Sequence, residues 1–222
     1  MRGDETNMCK VPIMRNESII RRLVSQLIVF LKKYYSYRTL SQITNLPIAT
    51  LNRYARGVIR PGHERAIELY GKLKPLIAKH IKQTIDKDDW STLYLPATLD
   101  ILSTVITFEV AGQRITKILA FEGVAPLAIA TALKINAPFV IITQSRNLHH
   151  LSWLSFDYRI GDIWLSYFIP KNSLQKNDSI LFIDAIMTPI KDDILSKLEQ
   201  SMGVKIEHKL ILKNLMDEWE CE

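Results

Sequence analysis

A run of four apolar residues at positions 180–183 ends at Asp184 and leads through a short turn into a helical pattern. The helical pattern begins near Pro189 and ends before Gly203. An apolar run of this length is typical of a buried parallel strand, and proline and glycine mark the two ends of a helix. The segment therefore predicts a strand, a loop and a helix N-terminus, which together are one unit of an α/β sheet.

The same alternation of apolar runs and helical patterns occupies the chain from Thr116 onward. Residues 127–133 are typical of an apolar helix, and residues 122–126 of the loop before it. Four further stretches have the length and composition of strands; they cover residues 118–121, 139–142, 163–168 and 206–212. These patterns predict a doubly wound parallel sheet with ligand chemistry at the carboxyl ends of the strands.

Residues 180–192 resemble the ribose-phosphate signature of the type I phosphoribosyltransferases. In that signature an apolar strand ends in two acidic residues, and a Thr/Gly-rich loop holds a 5′-phosphate. Asp184 matches the first acidic residue and Thr188 matches a loop position. Ala185 stands in place of the second acidic residue, and Pro-Ile-Lys-Asp at positions 189–192 replaces the Thr-Gly-Gly-Thr end.

The resemblance extends over residues 115–212 and is to phosphoribosyltransferases of the orotate, xanthine and purine-repressor type. In that family the loop after the first strand holds diphosphate; its positions match Glu122, Gly123, Val124 and Ala125. Residues 147–162, with His149 and His150, fall where the family has a mobile hood over the active site. The resemblance implies a phosphoribosyltransferase-like domain whose ligand contacts include these four loop residues, Asp184 and Thr188.

The departures from the signature predict a loop that no longer supports catalysis. Ala185 lacks a carboxylate for the ribose hydroxyls, and Pro189 has no N–H to donate. Ile190 places a branched side chain where glycine lets the backbone approach a phosphate. Asp192 and Asp193 would repel a phosphate at the helix N-terminus. We therefore expect no catalytic residue, cofactor or metal; the alternative for this segment is an ordinary strand followed by an acid-capped helix.

The net charge of +6 is unevenly distributed along the 222 residues. Residues 11–85 hold 14 Lys and Arg against 3 Asp and Glu, a net charge of +11, whereas residues 86–222 hold 13 against 18, a net charge of −5. A basic region of this density is typical of proteins that bind the phosphate backbone of nucleic acid. The alternative is a basic surface that only contacts solvent.

Three short helical patterns lie within the basic region. A first helix is predicted from residue 16 to residues 34–36, and Thr39 with Gln42 fits a capping box at the start of the second. Residues 45–47 predict a tight turn, and a third helix is expected over residues 48–56, before Gly57. Residues 39–57 closely resemble the helix-turn-helix of the lambda-repressor-like class.

That resemblance implies that the third helix faces the major groove of double-stranded DNA, while Leu51 and Tyr54 point into a small core. Candidates for positions facing the bases are Ala49, Thr50, Asn52 and Arg53, with Asn52 or Arg53 reading base edges. Candidates for phosphate contacts are Thr39, Ser41, Arg56 and Arg60.

After this region the sequence predicts one or two helices over residues 63–85, with a break or kink at Pro75. Seven residues are expected on their buried side: Ala66, Ile67, Leu69, Tyr70, Leu73, Leu76 and Ile77. Residues 86–89 are typical of a linker. The predicted organisation is a flexible tail at 1–15, a helix-turn-helix domain at 16–85, and a phosphoribosyltransferase-like domain at 86–222.

Composition weighs against several other classes of protein. Cys9 and Cys221 lie near opposite ends, and the five histidines form no metal-ligand spacing, so neither a disulfide framework nor a metal site is predicted. The apolar stretch at residues 23–31 is too short to span a bilayer, and the polar start does not fit a secretory leader. We expect a cytoplasmic protein with no membrane contact.

The two resemblances together are found in archaeal and bacterial regulators with a phosphoribosyltransferase-like sensor. They favour a DNA-binding transcriptional regulator that dimerises through the second domain and senses a nucleotide-related metabolite. One alternative is an active phosphoribosyltransferase of nucleotide metabolism with an accessory basic domain. Another is a sensor for a nucleobase, a nucleoside or a nucleotide bound in a different pose.

Overall fold

The computed structural model of the chain describes residues 16–85, 90–146 and 152–218. The predicted tail at 1–15 and the predicted linker at 86–89 lie outside the described residues. So do His149 and His150 of the predicted hood, and both cysteines.

Five helices precede the first strand: α1 (Asn16–Leu31), α2 (Tyr37–Thr44), α3 (Ile48–Ala55), α4 (His63–Thr84) and α5 (Pro96–Glu109). The predicted cap of α2 at Thr39 is wrong. Ser36 lies in extended backbone just before α2, and its hydroxyl accepts the amide of Thr39 at 3.1 Å. The N-cap of the helix therefore lies three residues earlier than predicted.

Helix α4 is a single helix of 22 residues, although Pro75 lies inside it. The predicted break is absent because a buried stripe on both sides of the proline holds the helix in place. The stripe consists of Ala66, Leu69, Tyr70, Leu73, Ile77, Ala78 and Ile81. Ile67, which was predicted to be buried, falls off this stripe and is 46% exposed.

Helix α5 was not predicted, yet all of its residues from Ile101 to Phe108 are buried. It packs against α1, α4 and the first helix of the sheet region. The rings of Tyr70 and Phe108 stack with their centroids 4.3 Å apart, and the Tyr70 hydroxyl donates to Glu109 at 2.6 Å. A helix that is apolar all round is typical of such a central position.

The remaining elements form the sheet region. In chain order they are β1 (Lys117–Phe121), α6 (Ala125–Ile135), β2 (Phe139–Ile142), β3 (Trp153–Ile160), β4 (Ile163–Pro170), β5 (Ser179–Asp184), α7 (Pro189–Met202), β6 (Lys205–Ile211) and α8 (Leu212–Glu218). Strands β2, β1, β5 and β6 make a four-stranded sheet in that order, and every pair is parallel. The predicted parallel sheet is therefore confirmed for these four strands.

The prediction that residues 163–168 belong to the parallel sheet is wrong. They lie in β4, which pairs with β3 in a separate antiparallel hairpin. Only Gly161 and Asp162 separate the two strands, and a parallel crossover needs a dozen residues or more. Gly161 has φ +59, a conformation that glycine adopts without strain. An antiparallel bridge between Phe168 of the hairpin and Thr143, the residue after β2, joins the hairpin to the edge of the parallel sheet.

Alternate residues of the two central strands pack against opposite layers. Ile118, Ala120, Leu181 and Ile183 belong to the cluster that contains α6, α5 and the buried residues of α1 to α4. Residues on the other face pack with α7 and the hairpin; they include Leu119, Phe121, Ile180 and Phe182. The helical region and one face of the sheet therefore share a continuous core, and the domain boundary at residue 86 stays a prediction.

We expect Asp178→Asn to destabilise the protein, since this carboxylate ties β1 to the segment before β5. Lys117 Nζ lies 2.8 Å from Asp178 Oδ2, the amide of Gln175 donates to the same oxygen, and Thr116 donates to the other. Burial alone would raise the pKa of Asp178, but these hydrogen bonds hold the pKa below its usual value. The free energy of unfolding should fall by about 2 kcal/mol at pH 7.

Because the folded pKa is the lower one, the stabilisation is complete above the unfolded pKa of about 4 and is lost as the pH falls further. The difference between wild type and Asp178→Asn in urea denaturation should therefore shrink below about pH 4. Asp162→Asn, at the fully exposed hairpin turn, is the control. A difference that persists unchanged at low pH would contradict the assignment.

Candidate functional site

The connections of the two central strands diverge at the carboxyl edge of the sheet, and we call the region between the ends of β1 and β5 the crevice. From β1 the chain passes through α6 to β2 on one side, and from β5 it passes through α7 to β6 on the other. The helices α6 and α7 cover opposite faces. In sheets of this kind ligands bind where the connections diverge, between the ends of two such neighbouring strands. The ends of β1 and β5 are therefore the candidate site.

On the β1 side, Glu122–Val124 form a 3-10 turn and α6 begins at Ala125. Glu122 and Gly123 are exposed, Val124 is buried and Ala125 is half-buried. The Glu122 carboxylate accepts the amide of Gln144 at 3.2 Å, which joins the residues that follow β1 and β2.

The carbonyl of Gly123 accepts a hydrogen bond of 2.7 Å from the hydroxyl of Tyr94. Tyr94 lies in a 3-10 turn just before α5, so it links the β1 loop to the central helix. The sequence had no local pattern that would reveal this contact, because the two residues are 29 positions apart. Their juxtaposition depends on how α5 packs.

On the β5 side, Asp184 is only 2% exposed. One carboxylate oxygen accepts the amide of Ala185 at 2.7 Å, and the other lies 2.7 Å from Lys191 Nζ. The Lys191 ammonium also donates to the carbonyl of Ile186 at 3.0 Å. The buried carboxylate is therefore neutralised by a lysine from the first turn of α7.

Lys191 is a functional candidate that the sequence did not predict, since it was noted only as a residue that replaces a glycine of the signature. Its Nζ lies 5.1 Å from the ring centroid of Phe121, the last residue of β1. Helical side chains lean toward the N-terminus of their helix, which carries the ammonium back to the crevice. In the sequence, the only indication of this contact is the separation of seven residues between Asp184 and Lys191.

Thr188 is the N-cap of α7, and its hydroxyl accepts the amide of Lys191 at 3.4 Å. Pro189 follows as the first helical residue, a position where the missing N–H costs no intrahelical bond. The Thr188 side chain is exposed but is engaged by its own helix. Its role as a ligand contact stays a prediction, as does that of each loop residue predicted above.

Asp192 and Asp193, the two acidic residues near the start of α7, are paired with cations. Asp192 Oδ1 lies 2.6 Å from Lys209 Nζ on β6. Asp193 Oδ2 lies 2.7 Å from Lys197 Nζ and accepts the hydroxyl of Tyr158. These donors lower the pKa of Asp193 below its usual value. Because each carboxylate has a counter-ion, the repulsion of a phosphate that we expected here is weakened.

The resemblance to phosphoribosyltransferases implies a metal ion on the diphosphate, and the carboxylates nearest to the crevice already have partners. Asp184 is paired with Lys191, and Glu122 accepts the Gln144 amide. Within the described ranges no group of three or more His, Cys, Asp or Glu could hold a metal ion.

In the helical region, α2 and α3 are joined by a turn in which Asn45 has φ 54. Leu51 and Tyr54 are buried, as predicted. Four of the predicted DNA contacts lie at positions i, i+3, i+4 and i+7 of one face, and all four are exposed: Ala49, Asn52, Arg53 and Arg56. Identification of this region as a helix-turn-helix domain stays a prediction.

The other predicted DNA contacts are less uniform. Arg60 is exposed, whereas Thr50, Thr39 and Ser41 are half-buried. The Ser41 hydroxyl donates to the carbonyl of Leu46 at 2.6 Å, so it stabilises the turn between α2 and α3.

No described helix is long and apolar enough to cross a bilayer.

No protein-family model and no curated protein matches the chain. Solved structures do match. The adenine phosphoribosyltransferase of Thermoanaerobacter pseudethanolicus is 17% identical, covers 59% of this chain and 83% of its own, and has a TM-score of 0.51. The chain has a phosphoribosyltransferase-like fold. The Saccharomyces cerevisiae enzyme, solved with an imino-altritol bisphosphate and adenine, is 14% identical, covers 59% and 84%, and also has a TM-score of 0.51.

The expectation that the chain is not an enzyme is wrong. It rested on Ala185 and on residues 189–192, but the solved structures that share the fold are adenine phosphoribosyltransferases, which are enzymes. The acidic residues of α7 are also paired, contrary to the reasoning behind that expectation. The altered loop therefore does not by itself exclude catalysis.

We expect Lys191→Met to lower the free energy of unfolding by about 2 kcal/mol, because it leaves the Asp184 carboxylate buried without a counter-ion. The double variant Asp184→Asn/Lys191→Met should recover most of this loss, since it removes both charges. Urea denaturation of the single and double variants measures the coupling. Lys197→Met, which breaks an exposed pair on the same helix, should change the stability by less than about 1 kcal/mol. Strictly additive losses would show that the two side chains are not coupled.

Proposed function

We propose that this protein is a phosphoribosyltransferase of nucleotide metabolism that acts at the crevice between β1 and β5. The proposal rests on the buried carboxylate of Asp184, which lies beside the N-terminus of α7. This is the place where the connections of β1 and β5 diverge, in a fold that adenine phosphoribosyltransferases share. A helix N-terminus favours a phosphate, and a carboxylate accepts hydrogen bonds from ribose hydroxyls.

In the proposed reaction a ring nitrogen of a nucleobase bonds to C1′ of phosphoribosyl diphosphate. The bond from C1′ to the diphosphate oxygen breaks, the diphosphate leaves with the bonding electrons, and the nucleobase loses a proton to solvent. Asp184 orients the ribose, while exposed backbone of the loop at Glu122 and Gly123 faces the leaving diphosphate. Ala185 and Pro189 remove one carboxylate and one N–H, so we expect a slow enzyme.

Adenine is the first nucleobase to test, because the two solved structures described above are adenine phosphoribosyltransferases. Wild-type protein should release diphosphate from phosphoribosyl diphosphate only when a nucleobase is present. Asp184→Ala should lower kcat/KM by about a hundredfold, since the ribose loses its orienting carboxylate. Diphosphate release and chromatographic detection of the nucleotide measure the nucleobase dependence of the wild type and the loss of kcat/KM in Asp184→Ala.

Asp162→Asn is the control for this assay, because its side chain is fully exposed at the hairpin turn, away from the crevice. It should retain wild-type activity. Absence of nucleotide product with adenine, guanine, hypoxanthine, xanthine, uracil and orotate would rule out the transferase proposal.

A second function, DNA binding by the helical region, is supported by the exposed face of α3. Arg53 and Arg56 lie on it with Asn52, and the turn before it has the left-handed residue that a helix-turn-helix uses. This protein would then be a transcriptional regulator as well. A homodimer would supply two such faces for two half-sites, and a nucleotide or ribose phosphate in the crevice would be its effector.

We expect Arg53→Ala to weaken binding to the DNA upstream of the protein's own gene by about tenfold. Affinity should also fall steeply as salt rises, because bound phosphates release counter-ions. Gel shifts with and without added nucleotides at several salt concentrations test this. Lys171→Ala, an exposed cation at the end of β4, is the matched control and should not change the affinity. Wild-type protein that shows no salt-dependent binding would refute the DNA-binding proposal.

A further inference from the structure

The pair formed by Asp184 and Lys191 occupies the crevice in which a ligand is proposed to bind. Asp184 is 2% exposed, and the Ala185 amide donates to one of its carboxylate oxygens. The other oxygen lies 2.7 Å from Lys191 Nζ as an ion pair, but it has no hydrogen-bond partner among the described residues. A buried carboxylate without a counter-ion is costly. Lys191 therefore provides the compensating contact that the buried Asp184 carboxylate would otherwise need from a bound ligand.

The lysine is more exposed than the carboxylate. Its side chain is 21% exposed, and the ammonium contacts Asp184, the Ile186 carbonyl and the ring of Phe121. The Ile186 side chain is 40% exposed, so the loop that holds the lysine is open to solvent. A lysine ammonium has three N–H donors on a flexible stem, and it can turn toward another anion without moving its helix.

Displacing Lys191 from Asp184 leaves two charges that need new partners. An anion must take the ammonium, and hydrogen-bond donors must reach the buried carboxylate. A phosphate alone satisfies only the lysine, and a ribose or nucleoside alone satisfies only the carboxylate. A molecule that carries a phosphate and neighbouring hydroxyls satisfies both at once.

We propose that Lys191 is a displaceable counter-ion that makes the crevice selective for a ribose 5-phosphate moiety over nucleosides, nucleobases and free phosphate. This inference rests on the proposed function, because it concerns the ligand of the same crevice. When the phosphate draws the ammonium away, Asp184 becomes free to accept a ribose hydroxyl. Lys191 thus takes over the anion contact that Pro189 and Ile190 remove from the loop.

Isothermal titration calorimetry on the full chain tests the proposal with ribose 5-phosphate, adenosine 5′-monophosphate, adenosine, ribose and inorganic phosphate. Wild type should bind the two phosphorylated sugars at least about thirtyfold more tightly than any of the other three. Lys191→Gln should lose about thirtyfold for ribose 5-phosphate. Its affinity for adenosine should stay the same or rise, because the ammonium no longer occupies Asp184.

Lys205→Gln is the matched control, since Lys205 pairs with Glu207 at the start of β6, at the edge of the sheet opposite the crevice. It should bind all five compounds as wild type does. Lys191→Arg keeps the charge and should retain the preference for phosphorylated sugars. If Lys191→Gln fails to fold by circular dichroism, Asp184→Asn/Lys191→Gln replaces it and should lose the preference as well.

The outcomes separate the two proposals. Wild type that binds none of the five compounds would refute the proposed function. Wild type that prefers ribose 5-phosphate, with the same preference in the glutamine variant, would overturn the role of Lys191 and leave the proposed function standing. An equal loss of adenosine and ribose 5-phosphate binding in that variant would also overturn it, because a structural defect would then explain both.

Discussion

The parallel pairing of β1 with β5 is the interaction on which the rest of the structure depends. Both strands are buried on both faces, so each face needs its own covering layer. Helix α6 and the helical region supply one layer, and α7 with the hairpin supplies the other. The two connections leave the strand pair in opposite directions, so their loops diverge where the strands end. The crevice lies between these loops. The candidate site is thus a consequence of how this pair is covered.

Helix α5 joins the helical region to that sheet. It contacts α1, α4 and α6, and its stretch from Ile101 to Phe108 is buried throughout. Just before it, Tyr94 donates to the carbonyl of Gly123 in the β1 loop. A ligand that moved this loop would therefore act directly on a side chain next to the central helix.

The charges of the site show why a loop motif alone was a poor guide to the electrostatics of the site. Substitutions at Ala185 and Pro189 remove groups that are visible in the sequence. Lys191 adds a cation whose position depends on the backward lean of a helical side chain and on the buried oxygen of Asp184. Asp192 and Asp193 are visible as negative charges, but their partners come from β6, β3 and the next turn of α7. A sequence motif records which charged residues are present, whereas the electrostatic potential of the site depends on which partners neutralise them.

From the sequence alone, the apolar runs and their turn residues determined four parallel strands, the helices α3, α6 and α7, the burial of Leu51 and Tyr54, and the position of Asp184 at a strand end. These features follow from local periodicity and from glycine, proline and asparagine at element ends. Tertiary structure decided the separate hairpin, the unbroken α4, the buried α5 and the pairing of Lys191 with Asp184. Each of these depends on contacts between distant elements or on a side chain reaching into a buried site, which local sequence patterns do not specify.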